Sequence, residues 1–289
     1  MRPFGKCRAI RAAAVTLTAM ALPTPCVAAD AALPIFDTHI HYSRPAWGPY
    51  SPRAILETLD AADVARALVS STPDDGTLKL YREDADRIVP ILRPYRDGAD
   101  PSHWFRNQQV LEYVAARLQR GVYRGIGEFH LFDASAAGTP QIRRLVGMAV
   151  ARDIVLHVHC GAGPVRALFA IDPKLKILWA HAGMSEPPEV VGELLDRYPR
   201  LWTELSFRAA DVAPDGRLDP AWRSLFLRHP DRFMIGTDTY VNSRWEVYRE
   251  LVEEHRRWLA QLPRNVAEAI AYGNAARQFG AGRRTGLQD

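Results

Sequence analysis

The chain has 289 residues, of which 47% are apolar and 24% charged, enough apolar material for one large core and too much for a disordered or fibrous chain. Its formal net charge of +4 comes from the first 29 residues, where Arg2, Lys6, Arg8 and Arg11 face no acidic side chain. Beyond them 33 basic residues balance 33 acidic ones, so nucleic-acid or anionic-membrane binding has no electrostatic support.

Residues 1–29 read as a cleavable export signal. A basic stretch precedes an apolar run from Ala12 to Leu22, and small residues Ala28 and Ala29 stand before Asp30. The run is shorter than the roughly 20 residues that span a bilayer, so a periplasmic or secreted protein without stable membrane insertion is expected. Cys7 and Cys26 leave with the signal, and Cys160 alone cannot form an intramolecular disulfide. The remainder, 30–289, is about the size of one (β/α)8 TIM barrel and contains no linker or internal repeat.

In chain order, β-rich runs at 34–41, 66–72, 88–94, 123–130, 154–160, 176–182, 201–207 and 233–239 alternate with amphipathic stretches. Near-continuous apolar runs such as Lys176–Ala180 and Phe233–Gly236 suit parallel strands buried on both faces. Leu111, Val114 and Leu118, and later Val190, Val191, Leu194 and Leu195, recur at helical spacing. Ser51-Pro52 and Asp219-Pro220 place a cap before a first-turn proline, and Gly163-Pro164 marks another helix start.

Ligand-type residues close five of the eight β-rich runs. His39 and His41 share a strand face, because side chains alternate. Glu128, the pair His157 and His159, His181 and Asp238 end later runs. In a closed barrel all strand ends face one mouth and these residues converge; an open doubly wound sheet would scatter the first and last strands. Imidazoles and carboxylates in this combination suit zinc or manganese, and a position left open to water makes such a site catalytic.

This ordered set resembles the amidohydrolase superfamily, specifically its branch of small TIM-barrel decarboxylases and lactonases, and the ending Tyr272–Phe279 resembles that branch's last helix. The resemblance implies His39, His41, Glu128, one histidine of strand 5, His181 and Asp238 as metal ligands. Of the strand-5 pair, His159 lies nearer the mouth and is the expected ligand, with His157 one layer deeper or at the substrate. Glu128 either bridges two ions, as the similar Gly-Ile-Gly-Glu run of TatD-type nucleases suggests, or serves one; both readings stay open.

The expected activity is metal-dependent hydrolysis of an ester, lactone or amide, with Asp238 as ligand and base and with His181 and Glu128 assisting at the metal. The alternatives are a non-oxidative decarboxylase acting on a carboxylated, aromatic substrate, which a functional Arg208 would favour, and a noncatalytic binder with a filled coordination sphere. Glu204, Ser206 and Arg208 alternate on strand 7 and share a face, where Arg208 either binds a substrate carboxylate or pairs with Glu204; His130, His157, Arg208 and Tyr240 are the candidate substrate contacts. Tyr42 and Trp47 are either pocket walls or packing, and Cys160 is expected to face away from the site. His103, His229 and His255 are expected at the surface. A small-molecule substrate is the expected partner, and a homodimer is compatible with the sequence.

Overall fold

The computed structural model describes residues 33–98, 100 and 103–280; the proposed signal lies outside them. Eight parallel strands run in the order β1 Ile35–Ile40, β2 Val64–Val69, β3 Ile88–Leu92, β4 Gly125–His130, β5 Val155–His159, β6 Lys176–Trp179, β7 Leu201–Glu204 and β8 Phe233–Met234. Each pairs with its sequence neighbour. The barrel closes where Thr38 N and Oγ1 both donate to Ile235 O at 2.8 Å, beside a bridge between Asp37 and Ile235.

Asp37 fastens that seam. Its carboxylate accepts from the backbone N–H of His39 and Thr237 at 3.0 and 3.1 Å, and from the hydroxyls of Thr237 and Tyr248 at 2.6 and 2.8 Å. One buried side chain thus joins β1, the end of β8 and the helix Tyr248–Leu259. The same helix buries His255, whose Nε2 lies 2.9 Å from Gly236 O. This corrects the surface placement expected for His255, since the inward face of that helix packs on the strand it follows.

The sequence signals for helix starts hold. Ser51 Oγ accepts from Ala54 N at 3.1 Å at the head of Pro52–Ala61, and Asp219 accepts from Ala221 and Trp222 N–H at 2.8 and 3.0 Å before Pro220–Arg228. Helix Ala162–Ile171 begins at the expected place after Cys160. Leu111, Val114 and Leu118 bury one face of Gln108–Leu118.

Inside the barrel Phe36, Leu68, Val89, Ile91, Val155, Leu178 and Met234 pack together, joined by Ala275 and Phe279 of the C-terminal helix. Asn274 ties that helix down by donating to Pro230 O and Phe233 O at 2.9 and 2.7 Å. The C-terminal helix therefore fills one end of the barrel, and polar side chains can gather only at the other. Truncation of fully buried Phe279 removes this filling. Phe279→Ala is expected to cost ~3–5 kcal/mol in urea unfolding; a loss below ~1 kcal/mol would show that the helix does not close the barrel.

Candidate metal centre

The strands end earlier than their apolar runs, and the difference builds the site. Runs expected through 182, 207 and 239 leave the ladder at Trp179, Glu204 and Met234. Beyond those points His181, Phe207 and Asp238 take left-handed φ values of 57°, 62° and 54°. This conformation costs a non-glycine residue of order 1–3 kcal/mol and persists only where surrounding contacts impose it. Those contacts are present: Asp238 N donates to His39 O at 2.6 Å, Arg244 donates to Asp238 O at 2.7 Å, and His181 N donates to Glu204 at 2.7 Å.

Two sets of ligand atoms meet across Glu128. His39 Nε2, His41 Nε2 and Asp238 Oδ1 gather around Glu128 Oε2, with separations of 3.1 Å between the imidazoles, 3.2 and 3.6 Å to Asp238, and 3.3 and 3.5 Å to Glu128. Ligand atoms of a tetrahedral zinc site stand about 3.3 Å apart. His159 Nδ1 and His181 Nε2, 3.2 Å apart, lie 2.7 and 3.6 Å from the other oxygen, Oε1. Asp238 Oδ2 is 3.8 Å from His181 Nε2.

The proton inventory tests whether a metal fits. The Nδ1–H of His41 is given to Ser70 O at 2.6 Å, and that of His39 to Glu204 Oε1 at 3.0 Å. With those protons committed, both Nε2 atoms present lone pairs to each other at 3.1 Å, an arrangement that repels unless a cation lies between them. Asp238 Oδ1, buried and without a hydrogen-bond partner among the described residues, faces the same point. The residues therefore fit a divalent cation.

Electrostatics agree. Burial opposes charge on His39, yet Asp238, Glu204 and Glu128 outweigh it and hold the pKa of His39 well above its ordinary value. Burial would likewise raise the pKa of Glu128, but His39, His159 and His181 hold it well below its usual range. Asp238 is kept at about 2, burial being outweighed chiefly by His39 and His41. The cluster stabilises added positive charge, whether proton or metal.

Further residues orient these ligands. Glu204, fully buried, accepts from His39 Nδ1, from His181 N and from Ser206 N, and Ser206 Oγ lies 2.8 Å from His181 Nδ1. A carboxylate behind a metal-binding imidazole fixes its tautomer and ring orientation. Sequence alternation placed Glu204 and Ser206 on one face but did not give them this task. Gly236 makes room for it: a Cβ there would lie 2.1 Å from Glu204 Oε2.

Not every sequence candidate reaches the site. Arg208, expected at the substrate, is buried and donates to His181 O, Ala182 O and Glu186 O at 3.3, 3.2 and 2.8 Å while pairing with Asp211. The turn after Glu204 carries it off the face it would share on a continuous strand. His157 lies beneath His39, ring centroids 4.5 Å apart, and is 1% exposed, so it does not meet the cavity; it forms a separate buried cluster with His39 and Glu204, their ligand atoms within 4.8 Å of one another. Burial keeps it neutral. Tyr42 and Trp47 pack under the first loop, hydrogen-bonded to Tyr50 O and Tyr42 O.

Over the ligands opens a cavity of about 250 Å³ whose walls include His130, Tyr240, Phe207, Met184 and Arg93. Arg93 was not anticipated. It follows β3, and its Nη2 and Nε donate to Glu128 Oε2 and Glu128 O at 2.9 and 3.1 Å. The only signal for it was its place just after an apolar strand.

A family model for amidohydrolases matches residues 36–281. The chain belongs to this amidohydrolase family. No curated protein sequence matches it. Among solved structures, it is similar to an amidohydrolase from Burkholderia multivorans with bound zinc, at 21% identity and a TM-score of 0.60 over 86% of this chain and 100% of that one. A probable 2-pyrone-4,6-dicarboxylic acid hydrolase from Acinetobacter baumannii with citric acid bound shares 12% identity, with a TM-score of 0.60 over 86% and 99%. A 5-carboxyvanillate decarboxylase from Novosphingobium aromaticivorans, complexed with manganese and 4-hydroxy-3-methoxy-5-nitrobenzoic acid, also shares 12%, with a TM-score of 0.58 over 86% and 96%. At these identities the likeness is one of fold.

Two outcomes follow for this amidohydrolase. Gly236→Ala should displace Glu204 and lower zinc affinity ~10–100-fold by competition with a chromogenic chelator; unchanged affinity would remove Glu204 from the support of His39. After chelation, thermal stability should peak between pH 4.5 and 6.5. The depressed pKa of Glu128 contributes stability that is lost as pH falls below the usual carboxylate range, whereas the raised pKa of His39 contributes stability present below 6.5 and lost as pH rises through its folded value. Zinc, replacing the proton, should move the optimum upward; a peak that ignores zinc would contradict the shared-cation reading.

Proposed function

We propose that this amidohydrolase is an exported metal-dependent hydrolase that cleaves an ester, lactone or amide bond of a small organic substrate, and that His39, His41, Glu128, His159, His181 and Asp238 would hold two divalent cations. The observation that carries this reading is the division of labour at Glu128: one oxygen faces His39, His41 and Asp238, and the other faces His159 and His181. Zinc is the first choice and manganese the second for such a nitrogen and oxygen donor set. The bound metal would supply Lewis acidity, polarising a carbonyl and bringing the pKa of water near 7.

The chain's own groups supply the rest. Asp238 accepts the proton of the attacking water and returns it to the leaving group, its carboxylate held ready by Arg244 behind its backbone. His181, with Nδ1 against Ser206, presents the Nε2 lone pair beside His159 and Glu128 Oε1, where it would hold a cation. Phe207, Tyr240 and Met184 form apolar walls that position the substrate and thin the water around the reacting bond.

A functional Arg208 would have favoured a decarboxylase, and that guanidinium is committed to backbone carbonyls, so it lends the decarboxylase no support. Export is supported by the basic, apolar and small-residue order of residues 1–29.

Elemental mass spectrometry on the purified protein is the test, alongside hydrolysis of a panel of aryl esters and lactones. About two equivalents of zinc or manganese are expected, falling to about one in Glu128→Gln and further in His41→Ala, with hydrolysis lost in both. His157→Ala should keep its metal, while His159→Ala should lose part of it. A wild-type protein that takes up no metal on reconstitution would sink the mechanism; metal-dependent release of CO2 from carboxylated aromatics without hydrolysis would replace it with the decarboxylase.

A further inference from the structure

Beside the ligand cluster the cavity holds two hydrogen-bond donors that the hydrolytic reading does not use. Arg93 spends Nη2 and Nε on Glu128, and its guanidinium lies 5.0 Å from the centre of the Tyr95 ring. Its Nη1 has no partner among the described residues and is not shut away from solvent, so it opens on the cavity that Arg93 lines.

The second donor follows from counting protons. Tyr95 OH accepts from His130 N at 2.8 Å and stands 3.0 Å from His130 Nδ1. Its own proton has no other acceptor among the described residues, so it goes to Nδ1, which must carry the lone pair. The proton of the imidazole is then on Nε2, which has no hydrogen-bond partner among the described residues, and His130 is part of the cavity wall. Trp104 holds this arrangement by donating from Nε1 to His130 O at 3.0 Å. Among the described residues neither donor makes a hydrogen bond, although a ring nitrogen of His130 lies within 4.8 Å of Glu128 and His159.

We propose that Arg93 Nη1 and His130 Nε2 form a paired anchor for an anionic oxygen group of the substrate, a carboxylate in the first instance, separate from the bond being cleaved. The proposal rests on the hydrolase reading for what happens next to the anchor. The guanidinium already neutralised on one edge by Glu128 still offers a charge-assisted donor on the other, and a neutral imidazole N–H adds direction. With Phe207 and Tyr240 as walls, the substrate class is a carboxylate borne on an apolar or aromatic body.

Calorimetric titration with benzene-1,3-dicarboxylate tests this on the full-length protein, zinc-loaded and chelator-stripped, with benzene-1,3-dicarboxamide as the uncharged control. The diacid should bind the wild type at least about tenfold more tightly than Arg93→Met, which loses a hydrogen bond to a charged group. His130→Phe should lose severalfold and His130→Gln, which keeps a donor, should recover part of it. The diamide should not distinguish the four proteins. Equal diacid affinity across them, or no binding to the wild type in either state, overturns the anchor. Acetohydroxamate, which needs only the metal, separates the two readings: if it fails to bind zinc-treated wild type while the stripped protein still shows the Arg93 dependence, the metal mechanism falls and the anchor stands.

Discussion

Two imidazoles, each with its Nδ1 proton committed to a partner behind it, face each other through Nε2 at 3.1 Å in the interior of this barrel, and a carboxylate oxygen with no hydrogen-bond partner among the described residues turns to the same point. Lone pairs so placed repel unless a proton or a metal ion lies between them. The surrounding architecture maintains that arrangement. Glu204 and Ser70 O hold the rings, Gly236 leaves space for Glu204, and Asp37 fastens the strand that carries both histidines to the strand end that carries Asp238.

The backbone pays for this convergence at the strand ends. His181, Phe207 and Asp238 sit in a left-handed conformation that aims their side chains across the mouth; the last is restrained by donating its N–H to His39 O and by accepting at its carbonyl from the Arg244 side chain. Such strain is tolerable because the other end of the barrel is tightly filled by Phe36, Met234 and Phe279. A rigid apolar floor and a strained polar rim are complementary halves of one design, the first supplying the stability that the second spends.

The mouth itself is mixed in character. Phe132, Phe207, Tyr240 and Met184 leave apolar surface exposed there, while Arg93 and His130 present donors lower in the wall. A cavity of about 250 Å³ is small, so these groups and the clustered imidazoles and carboxylates border one space. Recognition and reaction are a few bond lengths apart, which is how a barrel fold comes to be specialised by its loops.

Much of this was legible in the chain. Eight alternating strands and helices, the barrel they close into, the capped helix starts and the ordered ligand residues from His39 to Asp238 follow from period, proline placement and residue type, which are local properties. What tertiary structure decided were matters of direction. Periodicity cannot say where a strand leaves its ladder, so Arg208 was assigned to the substrate and instead holds the loop after β6. It does separate His159 from His157, because position along the strand sets depth, and His159 alone reaches Glu128 and His181. It cannot reveal Arg93 or the role of Glu204: a lone arginine after an apolar run and one carboxylate on a short strand acquire meaning only when folding places them against Glu128 and His39. Sequence determined which groups exist and in what order, and three-dimensional closure determined which of them converge around Glu128.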